Sequence, residues 1–414
     1  MQSKRVSHIE FLNRLVYYLS MITVEEASSL IHQYLPNWGV VSESIETSFS
    51  FTTAEPIHSD RQYPPIDRVM MDGIAIDYDA YQKGLREFAV LGTCPAGEKP
   101  QQLKLPTGCF EVMTGAPLPE NTSLVIPYEH LKIEQDVAKI ITETERMRFE
   151  NIHLKGSDIK PDQVVVTSGE RFNGPLAGIA ASMGLSSLKA NKKPRVMLIS
   201  TGDELVPINQ SPLEYQLRRS NVYALKASLL NFGYQDVKLD HLEDKKNIIA
   251  AHFEKHAQEF DLMIYSGGVS KGKFDYLPFI WKDLGVAEHF HEVSQRPGKP
   301  LWFGTDSKRK TAILGLPGNP VSSLVCLHRY FLTQQKIYAK LGEEVIFKKD
   351  LTYFLPVKIQ FETNGSITAH PLKIKNSGEF TALAYSDGFI ELPKNQSTFA
   401  KGEAFAFYPW RGLC

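Results

Sequence analysis

The stretch Thr311–Tyr330, TAILGLPGNPVSSLVCLHRY, decides the reading of this chain. Ala312, Ile313 and Leu314 form a short apolar run that empties into Gly315-Leu316-Pro317-Gly318-Asn319-Pro320. Val321, Leu324, Val325 and His328 then recur at i, i+3, i+4 and i+7, the spacing of one helix face. Asn319 suits an N-cap and Pro320 a first helical position, where a missing N–H costs nothing. Strand, Gly-rich loop and capped helix together present backbone donors and a positive dipole end, a place for a phosphate or other oxyanion. A plain strand-to-helix turn has the same signature, so the neighbours must decide.

Two further segments repeat the pattern. Arg195–Ser200 is an apolar run that ends in Thr201-Gly202-Asp203-Glu204, and Asp261–Tyr265 ends in Ser266-Gly267-Gly268-Val269-Ser270. Helical patterns at Asn221–Phe232 and Asn247–Phe260 alternate with these strands and with VKLDHLED. Alternation of this kind predicts a doubly wound parallel α/β sheet, with ligands beyond the carboxyl ends of the strands. No GxGxxG opens the first unit and no GxxxxGK[ST] occurs, which argues against nicotinamide and P-loop chemistry.

The rest of the chain divides around this core. The expected domains are a discontinuous linker or dimerisation domain (1–60 and 146–190), a small β domain (61–145), the α/β domain (191–340) and a C-terminal β-barrel-like domain (341–414). Thr23 and Glu26 form a capping-box pattern that predicts a helix over Thr23–Leu35. Short apolar runs punctuated by Pro and Gly, among them GIAIDY, FAVLG and CFEVMTG, predict the small β domain. A length of 414 residues requires several cores, and 43% hydrophobic with 22% charged residues is ordinary for a soluble protein.

A net charge of −1 gives no general attraction to nucleic acid or a membrane surface, so neither is expected as a partner. Cys94, Cys109, Cys326 and Cys414 are far apart and read as reduced, which fits a cytoplasmic location. MQSKRVSHIEF breaks into charge early, so no signal peptide is expected. His58, His153, His241 and His328 are scattered, with no HxH or HxxxH pair among them, and a zinc site is not expected.

Candidate chemistry gathers in the Gly loops. Asp203, Glu204 and Asp275 lie beside phosphate-suited glycines, an arrangement that calls for a bridging cation such as Mg²⁺. Asp203 or Asp275 also makes an ordinary cap for the next helix. Arg296-Pro297-Gly298-Lys299-Pro300 places two cations in a stiffened loop that suits an oxyanion.

Taken together, PPIDRVMMDGIAI, MTGAPLP, STGDEL, SGGVSKGKFDYLP, RPGKPLWFG and GLPGNPVSS resemble, in order and spacing, the MoeA-like molybdopterin molybdenumtransferases, a family that includes the E domain of gephyrin. The resemblance runs from about residue 20 to the end. It implies insertion of molybdenum from molybdate into adenylylated molybdopterin with release of AMP, dependent on Mg²⁺. It also implies a homodimer with a shared active site, and makes molybdopterin adenylyltransferase and molybdoenzymes candidate partners.

Carried over, it assigns catalysis to Asp72, Asp158, Glu204 and Asp275, with Glu204 and Asp275 as metal ligands. Substrate binding falls to Thr114, Gly115, Thr201, Gly202, Asp203, Ser220, Asn221, Ser266, Gly267, Gly268, Ser270, Arg296, Lys299, Pro317, Gly318 and Asn319. The departures are Val69, Ile74, the run His153-Leu154-Lys155, Ser157, Arg219, Lys271, Lys273 and Arg296. Loss of acids at Ser157, Arg219 and Lys273 makes the expected pocket more basic than the family pattern. Two other readings are a non-catalytic molybdopterin-binding or scaffold paralogue and a molybdopterin adenylyltransferase.

Overall fold

The computed structural model describes residues 21–47, 51–270, 272, 275–333, 336–372 and 379–411. Lys271, Lys273, Cys414 and the N-terminal segment read for a signal peptide lie outside the described residues. The chain forms two compact units, one of residues up to 39 with those from 192 onward, the other of residues 40–191.

The first unit begins with α1 (Val24–Tyr34), held by the expected capping box. The Thr23 hydroxyl accepts from Glu26 N at 3.1 Å, and the Glu26 carboxylate accepts from Thr23 N at 2.7 Å. Val24, Ala27 and Ile31 bury one face of α1 in the core of the α/β sheet. That sheet contains β1 (Val196–Thr201), β2 (Val237–Leu242), β3 (Leu262–Ser266), β4 (Ala287–His291), β5 (Trp302–Asp306) and β6 (Thr311–Leu316). Its order is β2-β1-β3-β6-β5-β4. The first four strands are parallel, whereas β5 and β4 continue antiparallel. The parallel reading therefore holds for the centre and not for this edge. The connection from Asp306 to Thr311 is a tight turn, too short for the crossover that a parallel neighbour requires.

Helices cover both faces. α2 (Ser220–Asn231) and α5 (Pro320–Leu327) join one core with α1, while α3 (Lys246–His256) and α4 (Leu277–Asp283) join the other. β1, β3 and β6 are buried along their whole lengths, as expected of strands with helices on both sides. Each fully buried Leu, Ile or Met there contributes about 1.5–3 kcal/mol of transfer free energy before entropy is counted. Val321, Val325 and His328 are buried as the helical spacing predicts.

The C-terminal strands close a five-stranded barrel, because Thr352–Phe361 pairs both with Ile367–Pro371 and with Gly388–Leu392. Gln295–Arg296 adds to it by pairing with Thr352 and Tyr353.

The second unit is built on a six-stranded sheet. In it Gly73–Ile76 lies between the edge strand Leu124–Pro127 and Gly108–Val112. A Cβ on Gly73 would lie 2.0 Å from the Ile126 carbonyl oxygen, so the register at this point depends on glycine. Cys94, Cys109 and Cys326 are free and buried, and burial pushes the Cys109 and Cys326 thiols up to about 12. Among the described residues no helix is long and apolar enough to cross a membrane.

Candidate active site

Three of the four parallel strands deliver their Gly loops to one cleft of about 970 Å³. β1 ends at Thr201-Gly202, where Gly202 has φ +134°, and a Cβ there would lie 2.6 Å from a Glu204 carboxylate oxygen. Glycine thus lets Glu204 fold back over its own loop. After β3, Gly267 and Gly268 have φ +103° and +69°, which L side chains rarely adopt. Their absent side chains leave room for the Thr201 hydroxyl, about 3 Å from where each Cβ would stand. That hydroxyl is buried and makes no hydrogen bond among the described residues. A buried polar atom left this way costs about 1–3 kcal/mol, which a bound ligand oxygen would relieve.

The loop after β6 is locked to the other two. Gly267 N donates to Leu316 O at 3.0 Å, so this amide is committed to the fold. Asn221 Nδ2 donates to Ser266 Oγ at 3.0 Å and to Gly318 O at 2.7 Å, tying the second and third loops through the start of α2. The Ser323 hydroxyl donates to the Pro317 carbonyl and holds the GLPGNP turn from within α5. Asn319 stands at the N-cap and Pro320 opens the helix.

Of the sequence-assigned residues, Thr201, Gly202, Glu204, Ser220, Asn221, Ser266, Gly267, Gly268, Ser270, Asp275, Pro317, Gly318 and Asn319 line the cleft. Asp203 is exposed and does not line the cleft, and its carboxylate accepts from Asp244 N at 3.1 Å. Asp275 accepts from Gly272 N at 2.8 Å. Asp244 was not anticipated, although it follows β2, whose carboxyl end lies on the same sheet edge. It lines the cleft with Glu204 and Asp275. Burial, then the charges of Asp203, Glu204 and Asp275, raise its carboxyl to about 6.

Arg218 and Arg219 line the same cleft, so cations accompany the acids. Arg219 Nε is buried with no partner among the described residues. Burial, and then the Arg219 charge, hold the His241 imidazole below its usual range, while its Nδ1 lies 3.0 Å from the Ser200 hydroxyl.

Arg296 and Lys299 do not line this cleft, although Pro300 does. Arg296 lies in the short strand added to the barrel, and Lys299 Nζ is 4.0 Å from the buried Glu292 carboxylate. Gln295 and Cys326 brace the intervening turn: Gln295 Nε2 donates to Gly298 O at 3.0 Å, and a Cβ on Gly298 would meet Cys326 Sγ at 2.5 Å.

The remaining assigned residues belong to the second unit. Asp72 accepts from Thr114 N at 2.6 Å and from Thr114 Oγ1 at 2.7 Å, and these bonds hold its carboxyl below the usual range. Gly115, at φ +87°, donates its amide to Val69 O at 2.9 Å and shapes that turn. Asp158 pairs instead with His153 Nε2 at 2.7 Å and Ser157 Oγ at 2.9 Å, which lower its carboxyl in turn. His153 and Ser157, two of the departures from the motif pattern, are thus the side chains that hold Asp158.

The expectation that no histidine pair has ligand spacing is wrong: His252 and His256 form an HxxxH pair at i, i+4 on α3, and His289 and His291 an HxH pair.

Three family models match successive parts of the chain. The MoeA N-terminal region (domain I and II) matches residues 22–184, the domain described as "Probable molybdopterin binding domain" matches 197–335, and the MoeA C-terminal region (domain IV) matches 338–410. The molybdopterin molybdenumtransferase of Synechocystis is 51% identical over 94% of this chain and 100% of its own length. That of Haemophilus influenzae is 28% identical over 95% of this chain and 100% of its own. A molybdopterin biosynthesis MoeA protein from Pyrococcus horikoshii superposes with a TM-score of 0.78 at 26% identity, covering 95% of this chain and 100% of its own. With three successive matches spanning nearly its whole length, the chain belongs to the MoeA family.

Proposed function

We propose that this chain is a molybdopterin molybdenumtransferase that takes adenylylated molybdopterin and molybdate, inserts the metal and releases AMP. The observation that carries the reading is the cleft at the carboxyl ends of β1, β3 and β6. There an unpartnered Thr201 hydroxyl, the Gly268 and Gly318 turns and a carboxylate group share one wall. Cleavage of a phosphoric anhydride is mainly positioning and charge neutralisation. The Gly loops bring backbone close to the phosphates, Thr201 offers its hydroxyl, and Arg218 and Arg219 balance the anionic charge of substrate and molybdate.

The donor set also fits Mg²⁺. Glu204, Asp244 and Asp275 line one cleft, and burial, followed by the charges of Asp203, Glu204 and Asp275, raises the Asp244 carboxyl. When bound, the cation supplies charge neutralisation at the anhydride oxygens. Glu204 and Asp275 are the residues that would hold it, with Asp244 beside them.

Adenylylated molybdopterin incubated with the protein should release AMP only when molybdate and Mg²⁺ are both present. Equal, background-level release by wild type and by Asp275→Ala protein would refute catalysis. The active form is proposed to be a cytoplasmic homodimer with a shared site. Mixed Asp72→Ala and Asp275→Ala subunits should then regain activity after exchange, whereas no recovery would argue for a site complete in each subunit.

A further inference from the structure

A second group of ligand-type side chains lies outside the molybdopterin cleft. Asp240 on β2 and His252 and His256 on α3 each offer a donor atom, all within 4.8 Å of one another. The reason is local: β2 is an edge strand, α3 follows it, and i, i+4 spacing puts both imidazoles on one side of the helix. We infer that Asp240, His252 and His256 form a binding site for a divalent transition metal of the zinc class.

Four observations carry this. His252 Nε2 lies 2.9 Å from Asp240 Oδ2, so two donors already point at one spot. Asp240 Oδ1 accepts from His241 N at 2.7 Å, which fixes the carboxylate and leaves Oδ2 as the presented oxygen. The His252 and His256 rings pack with centroids 4.6 Å apart. Finally, Glu259 Oε2 lies 3.1 Å from His256 Nδ1, the carboxylate–histidine relay that orients the ring and leaves Nε2 free to ligate.

Tetrahedral zinc with bonds of about 2.0–2.1 Å needs donors about 3.3 Å apart, which small side-chain rotations reach from the present spacing. The side chains of His252 and His256 are 10% and 16% exposed against 41% for Asp240, so the site is walled by imidazole and open on the carboxylate side. Three protein donors leave the fourth position to solvent. The function assigned to the metal is to clamp α3 to the edge strand β2. Histidine and carboxylate donors at this spacing favour zinc over Mg²⁺, which takes oxygen ligands in octahedral geometry.

The test is zinc titration of tag-free, metal-stripped full-length protein by calorimetry, with Mg²⁺ saturating so that the acidic cleft does not compete. Wild type should bind one zinc ion, and Co²⁺ in its place should give the visible absorption of a tetrahedral site. His256→Gln should weaken binding about 100-fold and Glu259→Gln about tenfold. Asp275→Asn should leave zinc binding as in wild type. Zinc should raise the melting temperature of wild type and not that of His256→Gln. If the latter fails to fold, Asp240→Asn, at a more exposed position, serves in its place. Absence of stoichiometric zinc binding, or binding unchanged by both His256→Gln and Asp240→Asn, overturns the site.

Discussion

Asp72 and Asp244 are the same residue type in opposite situations. Asp72 sits on an exposed turn, where two hydrogen bonds from Thr114 favour its ionised form. Asp244 sits in a cleft with other acids, where burial and neighbouring charge disfavour ionisation. One is a carboxylate already satisfied by its own fold, suited to hold position or accept from a substrate. The other is buried among like charges and gains most when a cation arrives. The difference separates a positioning turn from a chemical centre before any substrate is considered.

That separation can be broken by mutation. The largest expected effect is at the chemical centre: Asp275→Asn should slow single-turnover AMP release by about 1000-fold with the circular dichroism spectrum unchanged. A loss under tenfold would remove Asp275 from the cation site. Gly202→Ala comes next, because its Cβ would collide with the Glu204 carboxylate at 2.6 Å and a positive φ resists the change. It should slow the reaction about tenfold to 100-fold and raise the Mg²⁺ concentration needed for half-maximal rate. An unchanged Mg²⁺ requirement would mean that Glu204 takes no part.

Smaller effects sharpen the contrast between the two acids. In Thr114→Val the hydroxyl bond to Asp72 is lost while the amide bond remains, so the carboxyl pKa should rise toward its ordinary value. Carbon-13 NMR titration reads this directly, and a pKa as low as in wild type would deny Thr114 the role assigned to its hydroxyl.

For Asp244 the sign is reversed. Its folded pKa, about 6, lies above the unfolded value, so ionisation penalises the fold fully above pH 6 and not at all below the unfolded pKa. Asp244→Asn should therefore stabilise the metal-free protein by about 1 kcal/mol at pH 8, after discounting for partial exposure, with the gain vanishing near pH 4. Chemical denaturation at the two pH values checks it. Mg²⁺ should stabilise wild type more than the variant, and equal stabilisation would exclude Asp244 from the cation's surroundings.

Much of the cleft was legible because parallel strands impose a rule. Small polar loops after buried apolar runs must gather at one sheet edge, and Thr201, Gly268 and Gly318 do. Asp244 obeys the same rule, but HLED carries no glycine to mark a loop, and its importance arises only when β2 pairs beside β1. The Arg296–Lys299 segment shows the opposite limit. Two cations stiffened by Pro and Gly look alike whether they face a ligand or, as Lys299 does, lie beside a buried acid such as Glu292. The antiparallel strand β5, between β6 and the edge strand β4, was hidden for a similar reason, since apolar content reports burial and not direction. His252 and His256 had legible spacing, yet their third partner comes from a strand, and sequence distance does not reveal it.

The three-loop cleft is proposed to hold both the phosphate and the metal chemistry. A crystal structure of the protein soaked with AMP, Mg²⁺ and molybdate tests it most directly. The AMP phosphate should lie against the Thr201 hydroxyl and the Gly268 and Gly318 turns, with Mg²⁺ beside Glu204 and Asp275. Nucleotide bound at the Arg296–Lys299 segment instead, with the three loops unoccupied, would contradict it.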